Sequence, residues 1–530
     1  MPLLDDDTCH AATEARDRRH DGQFFTGVVS TGVYCRCVCP ARTPKREHRR
    51  FFPSAAAAER AGFRPCLVCR PELAPGASPL DATLRVAHAA VRRIEAGALE
   101  GRSLADLAAE LGVSDRHLRR ALVKTFGASP IDIAQTHRLL TAKRLLHETR
   151  LSLIEVAFAA GFGSVRRFNA VFLSRYGLAP SRLRRRPVGA RAGHGAEARA
   201  AAPATARLSF VLATRGPFDG VEPLAHAERR RVARMEAAPY VRTFAVAGCS
   251  GVLTLTLGAG TAPVLTLTDG LLPAFRQVIA AVRGALDLDA DVEAINAALG
   301  RAPDLAADVR ANPTVRLPGA LDPFELAIRA ILGQQVTVRA ATTLTARLVE
   351  AIGAPIETGI EGLDRLFPSP ARLAEAGAER IGRLGMPRAR AEAVVRLAAA
   401  TADGTLALAR GVVAGGRAGL ASLPGVGPWT LEYIALRGLG DPDGFPVGDA
   451  GLRLAFPGDL RRASEAWRPW RGYAAAHLWQ RHARRDPTAP TARAAPTRTR
   501  ARTAAHSIPK GASHAPASSP ASSPQAFRAP

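Results

Sequence analysis

Apolar residues recur at helical spacing from about Ala82 to Arg186, with polar residues on the intervening positions. Strand-like alternation follows in three short runs, Val241 to Val246, Val252 to Leu257 and Val264 to Leu267. Helical spacing then returns from Leu321 to Arg484. Between the first two blocks, Arg186 to Ala206 is rich in Ala, Gly, Pro and Arg and reads as a linker. From Pro487 the chain is Ala/Pro/Ser/Thr/Arg-rich with almost no large apolar residue, the composition of a disordered tail. This pattern predicts a multidomain, mainly α protein with α+β parts, divided into 1–80, 81–186, a linker at 187–206, a mixed α/β subdomain at 207–315, a helical domain at 316–485 and a basic tail at 486–530. No apolar run approaches the roughly 18 residues of a membrane helix, and the acidic start Met1-Pro2-Leu3-Leu4-Asp5-Asp6-Asp7 resembles no signal peptide.

Within the first helical block, Ser103 to Gly112 gives a short apolar-striped helix with a glycine stop, and Ser114 caps a basic helix from Asp115 to Phe126 that carries Arg116, Arg119 and Arg120. The same order recurs: Leu153 to Phe162, then Ser164 to Tyr176 with Arg166 and Arg167. A short helix, a turn through glycine and a basic helix is the grammar of a helix-turn-helix. Two such units in about a hundred residues resemble the AraC-type DNA-binding domain. Many of these arginines are expected to touch phosphates rather than bases.

Charge and cysteine usage extend this picture. The 530 residues carry a formal net charge of +25, which favours a polyanion because every neutralised phosphate releases counterions. Five of the seven cysteines lie between Cys35 and Cys69, which fits a reducing cytoplasm with a metal site better than a disulfide framework. Cys35 and Cys39 form one close pair, Cys66 and Cys69 another, about 26 residues on; turns can aim such pairs at one tetrahedral ion. Arg36, Arg42, Arg46, Arg49 and Arg50 stand beside the first pair and predict a positive field for a nucleic-acid backbone, with Arg42 and Arg46 as candidate DNA contacts.

The cysteine pairs, with Thr31-Gly32-Val33-Tyr34-Cys35, Ala41-Arg42 and Gly62-Phe63-Arg64-Pro65-Cys66, resemble the Ada-type methylphosphotriester sensor over residues 5 to 186. The resemblance implies a small zinc-binding α/β domain holding one Zn²⁺ on Cys35, Cys39, Cys66 and Cys69, with Cys35 accepting a methyl group from a DNA phosphotriester. Zinc keeps a thiol deprotonated, so such chemistry is reasonable at neutral pH. A purely structural zinc knuckle is the alternative. Cys37 stands where this family usually has proline and is read as inert, rather than as a competing ligand or an oxidation partner. No Pro-Cys-His-Arg motif occurs, so the O6-methylguanine transfer of a complete Ada protein is not expected.

In the second helical block, Leu423-Pro424-Gly425-Val426-Gly427-Pro428-Trp429-Thr430 reads as a hairpin between helices whose glycines let backbone N–H groups gather around a phosphate. Asp449 follows Trp429 by twenty residues. With Ala327 to Val336, Leu384-Gly385-Met386-Pro387, Tyr433 to Gly438 and His477-Leu478-Trp479, residues 207 to 485 resemble the AlkA-type 3-methyladenine DNA glycosylase II, an all-α helix-hairpin-helix glycosylase domain behind a mixed α/β subdomain. The resemblance implies that Asp449 stabilises the sugar cation, that Trp429, Tyr433, Trp479 and Gln334 line the base pocket, that Gln335 fills the gap left by the flipped base, and that Gly425, Gly427 and Thr430 bind the backbone. Trp429 replaces the Schiff-base lysine of strand-cutting relatives, and no cysteine follows Cys249, so a monofunctional hydrolase without an iron–sulfur cluster is expected.

Both halves carry their own chemistry-bearing residues, which predicts two independent modules in one alkylation-response protein, cytoplasmic and nucleoid-associated. Expected partners are double-stranded and alkylated DNA, promoter DNA and RNA polymerase, with no membrane. The stretch from Asp449 to Trp467 is a few residues shorter than the family usually has; if that displaced Asp449, the chain would be a transcription regulator whose glycosylase-like half binds DNA without base excision.

Overall fold

The computed structural model describes residues 5–17, 20–21, 24–53, 55–69, 71, 79–149, 151–183, 206–220, 223, 230–237 and 240–485. The predicted linker, apart from Ala206, and the predicted tail lie outside them. Four strands build the first sheet: β1 (Phe25–Val28), β2 (Val33–Arg36), β3 (Arg49–Phe52) and β4 (Arg64–Pro65), in the order β3-β1-β2-β4. β1 pairs antiparallel with both neighbours, whereas β4 joins β2 in parallel with Tyr34 beside Pro65. That parallel register brings Cys66 level with the end of β2, where Cys35 sits, and the Cys66 N–H donates to the Tyr34 carbonyl at 3.0 Å. Tyr34, Phe52, Ala58 and Phe63 pack on one side of the sheet, and Cys9, Ala12, Phe24, Cys37 and Val38 form a separate small core.

The helical block comprises Pro79–Glu95, Leu104–Glu110, Asp115–Phe126, Pro130–Glu148, Leu153–Ala159, Val165–Tyr176 and Pro180–Leu183. Its punctuation is local and repeats. Ser103 and Ser152 each close a capping box, with Asp106 and Glu155. Ser114 and Ser164 cap the two basic helices, which end on left-handed Gly127 and Gly177. Helix 130–148, itself capped by Ser129 with Pro130 in the first turn, joins the two units.

A second sheet follows, β5 (Ala206–Val211), β6 (Glu236–Ala237), β7 (Val241–Val246), β8 (Cys249–Thr256) and β9 (Val264–Thr268), in the order β5-β9-β8-β7-β6 with antiparallel pairing throughout. Helix 275–285 covers it. Helices 292–299 and 306–311 share a core with the C-terminal part of the chain, around Leu436, Phe445, Leu452, Trp467 and Leu478. Helices 323–332, 338–352, 370–382, 388–402, 413–421 and 428–434 surround another core at Ile328, Ile331, Leu348, Val394 and Leu397.

The two halves pack against each other, whatever the independence of their chemistries. Phe162, Phe168 and Phe172 of the second helical unit belong to one continuous apolar cluster with Phe210, Leu265 and Phe275 of the second sheet and its helix. Each such side chain contributes roughly 1.5–3 kcal/mol on burial, so the two halves stabilise one another. The described residues form a single compact unit. The pattern of apolar positions showed which faces were buried but not that they faced each other.

Candidate metal centre and candidate active site

Cys35 is the penultimate residue of β2, and a tight turn returns Cys39, whose N–H donates to the Arg36 carbonyl at 3.1 Å. Cys66 follows β4, and the next turn brings Cys69. The four sulfurs lie within 4.8 Å of one another, and Cys39 and Cys66 are 4.0 Å apart. Tetrahedral Zn–S bonds of about 2.3 Å require sulfurs roughly 3.8 Å apart, so the quartet fits one zinc ion after slight contraction. Thiol hydrogen bonds from Cys35 and Cys69 lower Cys39, while the same bond to Cys39 raises Cys35. A divalent cation would supply the charge that lets all four ionise. The Arg36 N–H donates to the Cys69 sulfur at 3.5 Å, the outer bond that orients a ligand. Cys35 is 9% exposed and Cys39 is half-buried.

Cys37 points away from this quartet. Its thiol donates to the Asp17 carbonyl at 3.4 Å, and burial pushes it up to about 12. The positive field expected from the neighbouring arginines needs correction. Arg36 is buried against Asp21, Arg46 pairs with Asp7, and Arg49 pairs with Glu14 at 3.0 Å, so their charge is balanced within the domain. The Arg46–Asp7 pair lies at the surface with both side chains exposed, and Arg42 and Arg50 are exposed as well. On the basic helices, Arg116, Arg120, Arg166 and Arg167 are exposed, and Arg119 is exposed but bonds Asp115 one turn earlier at 2.7 Å.

The second site gathers around Asp449, the cap of helix 450–455. Its Oδ1 accepts from the Leu452 N–H at 3.1 Å and from Trp479 Nε1 at 2.9 Å, and its Oδ2 accepts from Trp429 Nε1 at 3.2 Å. Three donors from separate segments hold the carboxylate, and the short stretch after it is spanned by helices 450–455 and 460–464. The Trp429 ring stacks on Tyr433 with centroids 5.0 Å apart and planes 19° apart, and both side chains are half-buried. Three of the predicted pocket residues thus meet at one point.

Gln334 sits beside them with its amide committed elsewhere: Nε2 donates to the Gly425 carbonyl and to Thr430 Oγ1, each at 2.9 Å. Thr430 is 2% exposed, so its side chain braces the hairpin from inside. Its backbone N–H lies in the first helical turn, where no carbonyl one turn earlier is available to it. Of the two hairpin glycines only Gly425 is required by conformation, with φ +96° and Ala393 where a Cβ would go. Gly427 has an ordinary φ of −79° and open space in front of it, which leaves room for a phosphate to approach the backbone. Gln335 is exposed and holds φ +56°, an uncommon left-handed conformation for a residue with a side chain.

Sequence reasoning missed the supports. Arg437, 6% exposed within a π-helical turn at 435–439, donates to the Tyr433 hydroxyl and to the Pro318 carbonyl. Burial alone would raise the Tyr433 phenol, but Arg437, with Arg230 and Arg329, outweighs it and sets the phenol below its usual range. The four-residue helical spacing of Tyr433 and Arg437 was the available signal. Glu432 accepts from the Phe445 N–H at 3.0 Å and pairs with Arg417, which also pairs with Asp441 at 2.9 Å. This network fixes the loop leading to Asp449, and nothing local in the sequence announces it.

Four family models match the chain: the metal binding domain of Ada over residues 8–72, a helix-turn-helix domain over 107–186, the AlkA N-terminal domain over 209–322, and the HhH-GPD superfamily base excision DNA repair protein over 328–461. A probable bifunctional transcriptional activator/DNA repair enzyme AlkA from Mycobacterium tuberculosis is 40% identical over 490 residues, covering 90% of this chain and 96% of that protein. DNA-3-methyladenine glycosylase 2 of Escherichia coli is 37% identical over 279 residues, covering 51% of this chain and 96% of the relative. A solved structure of the E. coli Ada protein in complex with DNA is 34% identical, with a TM-score of 0.20, covering 26% of this chain and 95% of that one.

Proposed function

The chain belongs to the family of bifunctional transcriptional activators and DNA repair enzymes, and from that membership we propose that its C-terminal half hydrolyses the N-glycosidic bond of alkylated purines, 3-methyladenine among them, with Asp449 facing the sugar. The flipped base leaves with the bond's electron pair, water adds to the sugar carbon, and the fixed carboxylate stabilises the positive charge that develops between those events. The observation that carries this reading is the carboxylate held by two indole N–H groups and one backbone N–H next to the Trp429–Tyr433 stack. Aromatic faces suit purines made cationic by alkylation. Gln335, exposed on its left-handed turn, is read as the residue that enters the duplex where the base has left. The hairpin from Leu423 to Thr430 holds no lysine, which supports simple hydrolysis over strand cutting.

In the N-terminal half, Cys35 is proposed to accept a methyl group from a DNA phosphotriester. The thiolate sulfur bonds the methyl carbon while the carbon–oxygen bond breaks, and its electron pair returns to the phosphate as a diester. A bound Zn²⁺, held by Cys35, Cys39, Cys66 and Cys69, would keep the sulfurs ionised. Four thiolates around it give a formal charge near −2, and one methylation leaves about −1, which weakens repulsion of phosphate. The methylated form would then hold promoter DNA for RNA polymerase.

Release of 3-methyladenine from alkylated duplex DNA tests the repair half: release by the unaltered protein and loss in Asp449→Asn are expected. A folded protein that releases no base would overturn it. Peptide mass mapping after incubation with methylphosphotriester DNA tests the sensor, with the methyl group expected on Cys35; a methyl group on the more exposed Cys39 would refute the assignment.

A further inference from the structure

Arg276 lies in the first turn of helix 275–285, in the repair half, yet it is 4% exposed and its partners lie elsewhere. Its Nη2 donates to the carbonyls of Ile94 and Glu95 at 2.7 and 2.8 Å, the last two residues of helix 79–95, so a cation caps a helix C-terminus in another domain. Its Nη1 pairs with Glu100, and Gln277 Nε2 donates to the other oxygen of that carboxylate at 2.8 Å. Glu100 precedes the first helix-turn-helix unit. It also abuts the second: a Cβ at Gly161, the turn between helices 153–159 and 165–176, would lie 2.0 Å from Glu100 Oε1 and 3.1 Å from Arg276 Nη1. Gly161 has φ +86°, so the turn needs glycine for its backbone and again for the carboxylate beside it. Nearby, Arg144 of helix 130–148 donates to the Val211 carbonyl at the end of β5 at 2.7 Å and lies over the Phe210 ring.

We propose that Arg276 and Gln277 are positioning residues of the DNA-reading domain: through Glu100 the repair half fixes the turn that orients the second basic helix, so sequence-specific DNA binding depends on residues outside the helix-turn-helix domain. A tethered pair of modules has no use for a buried arginine that ends one module's helix from the other. A buried ion pair of this kind fixes an arrangement more than it stabilises the fold, and loss of one member leaves the other charge unpaired.

The test uses the full chain. The preferred duplex is selected from a random pool with the unaltered protein, and affinities for that duplex and for an unrelated one are measured well below the unfolding temperature. Arg276→Gln and Glu100→Gln are each expected to weaken the selected duplex about tenfold, with the unrelated duplex unchanged because exposed phosphate contacts remain. The double variant should be no weaker than the worse single one, since both act through one contact. Release of 3-methyladenine should stay at the unaltered rate. Unchanged affinity for the selected duplex, or an equal fall for both duplexes, would overturn the proposal. Should Arg276→Gln fail to fold, Gln277→Ala removes one bond to Glu100 and is expected to give a smaller loss confined to the selected duplex; no loss there, or one shared by both duplexes, would overturn the proposal equally.

Discussion

Replacing Trp479 by Phe removes a single hydrogen-bond donor from the Asp449 carboxylate while keeping an aromatic wall. In the structure that donor lies 2.9 Å from Oδ1, which then retains only the Leu452 N–H at 3.1 Å, while Oδ2 keeps Trp429 at 3.2 Å. A hydrogen bond to a charged group contributes about 1.5–3 kcal/mol, so if it serves to aim the carboxylate, the chemical step slows roughly 10- to 100-fold. Stacking on the bound base persists, so KM should move little; the loss belongs in kcat. Trp429→Phe should behave alike with a smaller effect, its bond being the longer. The assay is single-turnover release of 3-methyladenine from alkylated duplex DNA across a range of enzyme concentrations. A chemical step unchanged in Trp479→Phe, or a loss found wholly in binding, would show that the indoles act only as pocket walls.

Three further outcomes follow from the geometry. Gly425→Ala forces a side chain onto φ +96° and against Ala393 at 2.5 Å, a cost of roughly 1–3 kcal/mol visible as a lower Tm, whereas Gly427→Ala should keep the Tm and weaken DNA binding. Cys37→Ala should still bind one zinc per chain by metal analysis and Cys66→Ala should not, because only the latter sulfur faces the quartet. His137 and His477 are each pushed down to about 4, chiefly by burial, with Arg276 adding to the first and Arg484 and Arg481 to the second against the opposing pull of Asp308. Their folded pKa values lie below the usual unfolded value of about 6.5, so the unfolded chain takes up the proton first; stability is complete above that pH and lost as pH falls toward about 4, by roughly 3 kcal/mol per histidine at most. Calorimetry between about pH 7 and pH 5 should show the fall, and a fall as large in His477→Gln would refute the part given to His477.

What could be read from the sequence was local. Ser103, Ser114, Ser152 and Ser164 announce helix starts because a cap acts within three residues, and Gly127 ends its helix through its own backbone. The cysteine spacing is legible for the same reason, each pair being spanned by one turn. Arginines beside Cys35 looked like a DNA-facing field because the acids that neutralise them, Asp21, Asp7 and Glu14, arrive by folding from other segments. That the Thr430 side chain turns inward was not legible, because its partner Gln334 is 96 positions away. Asp449 was legible as a residue; its three donors were not, since Trp429 and Trp479 reach it from opposite sides in sequence.

The 72 lysines and arginines therefore overstate what meets DNA, because some of them are committed to internal pairs. Arg36 with Asp21, Arg242 with Glu325 and Arg276 with Glu100 are buried pairs that join segments 15, 83 and 176 residues apart. Desolvation cancels much of the attraction in such pairs, so their value to the fold is small when intact and their loss is costly when one partner is removed. An apolar contact of similar area would hold two surfaces together at many offsets, whereas a guanidinium seated between a carboxylate and two carbonyls admits one. In a chain that must keep two basic helices and one carboxylate in a working arrangement, arginine is being used in two roles. Where it is buried it sets the relative placement of segments, and where it is exposed, as at Arg116, Arg120, Arg166 and Arg167, it is left to meet phosphate.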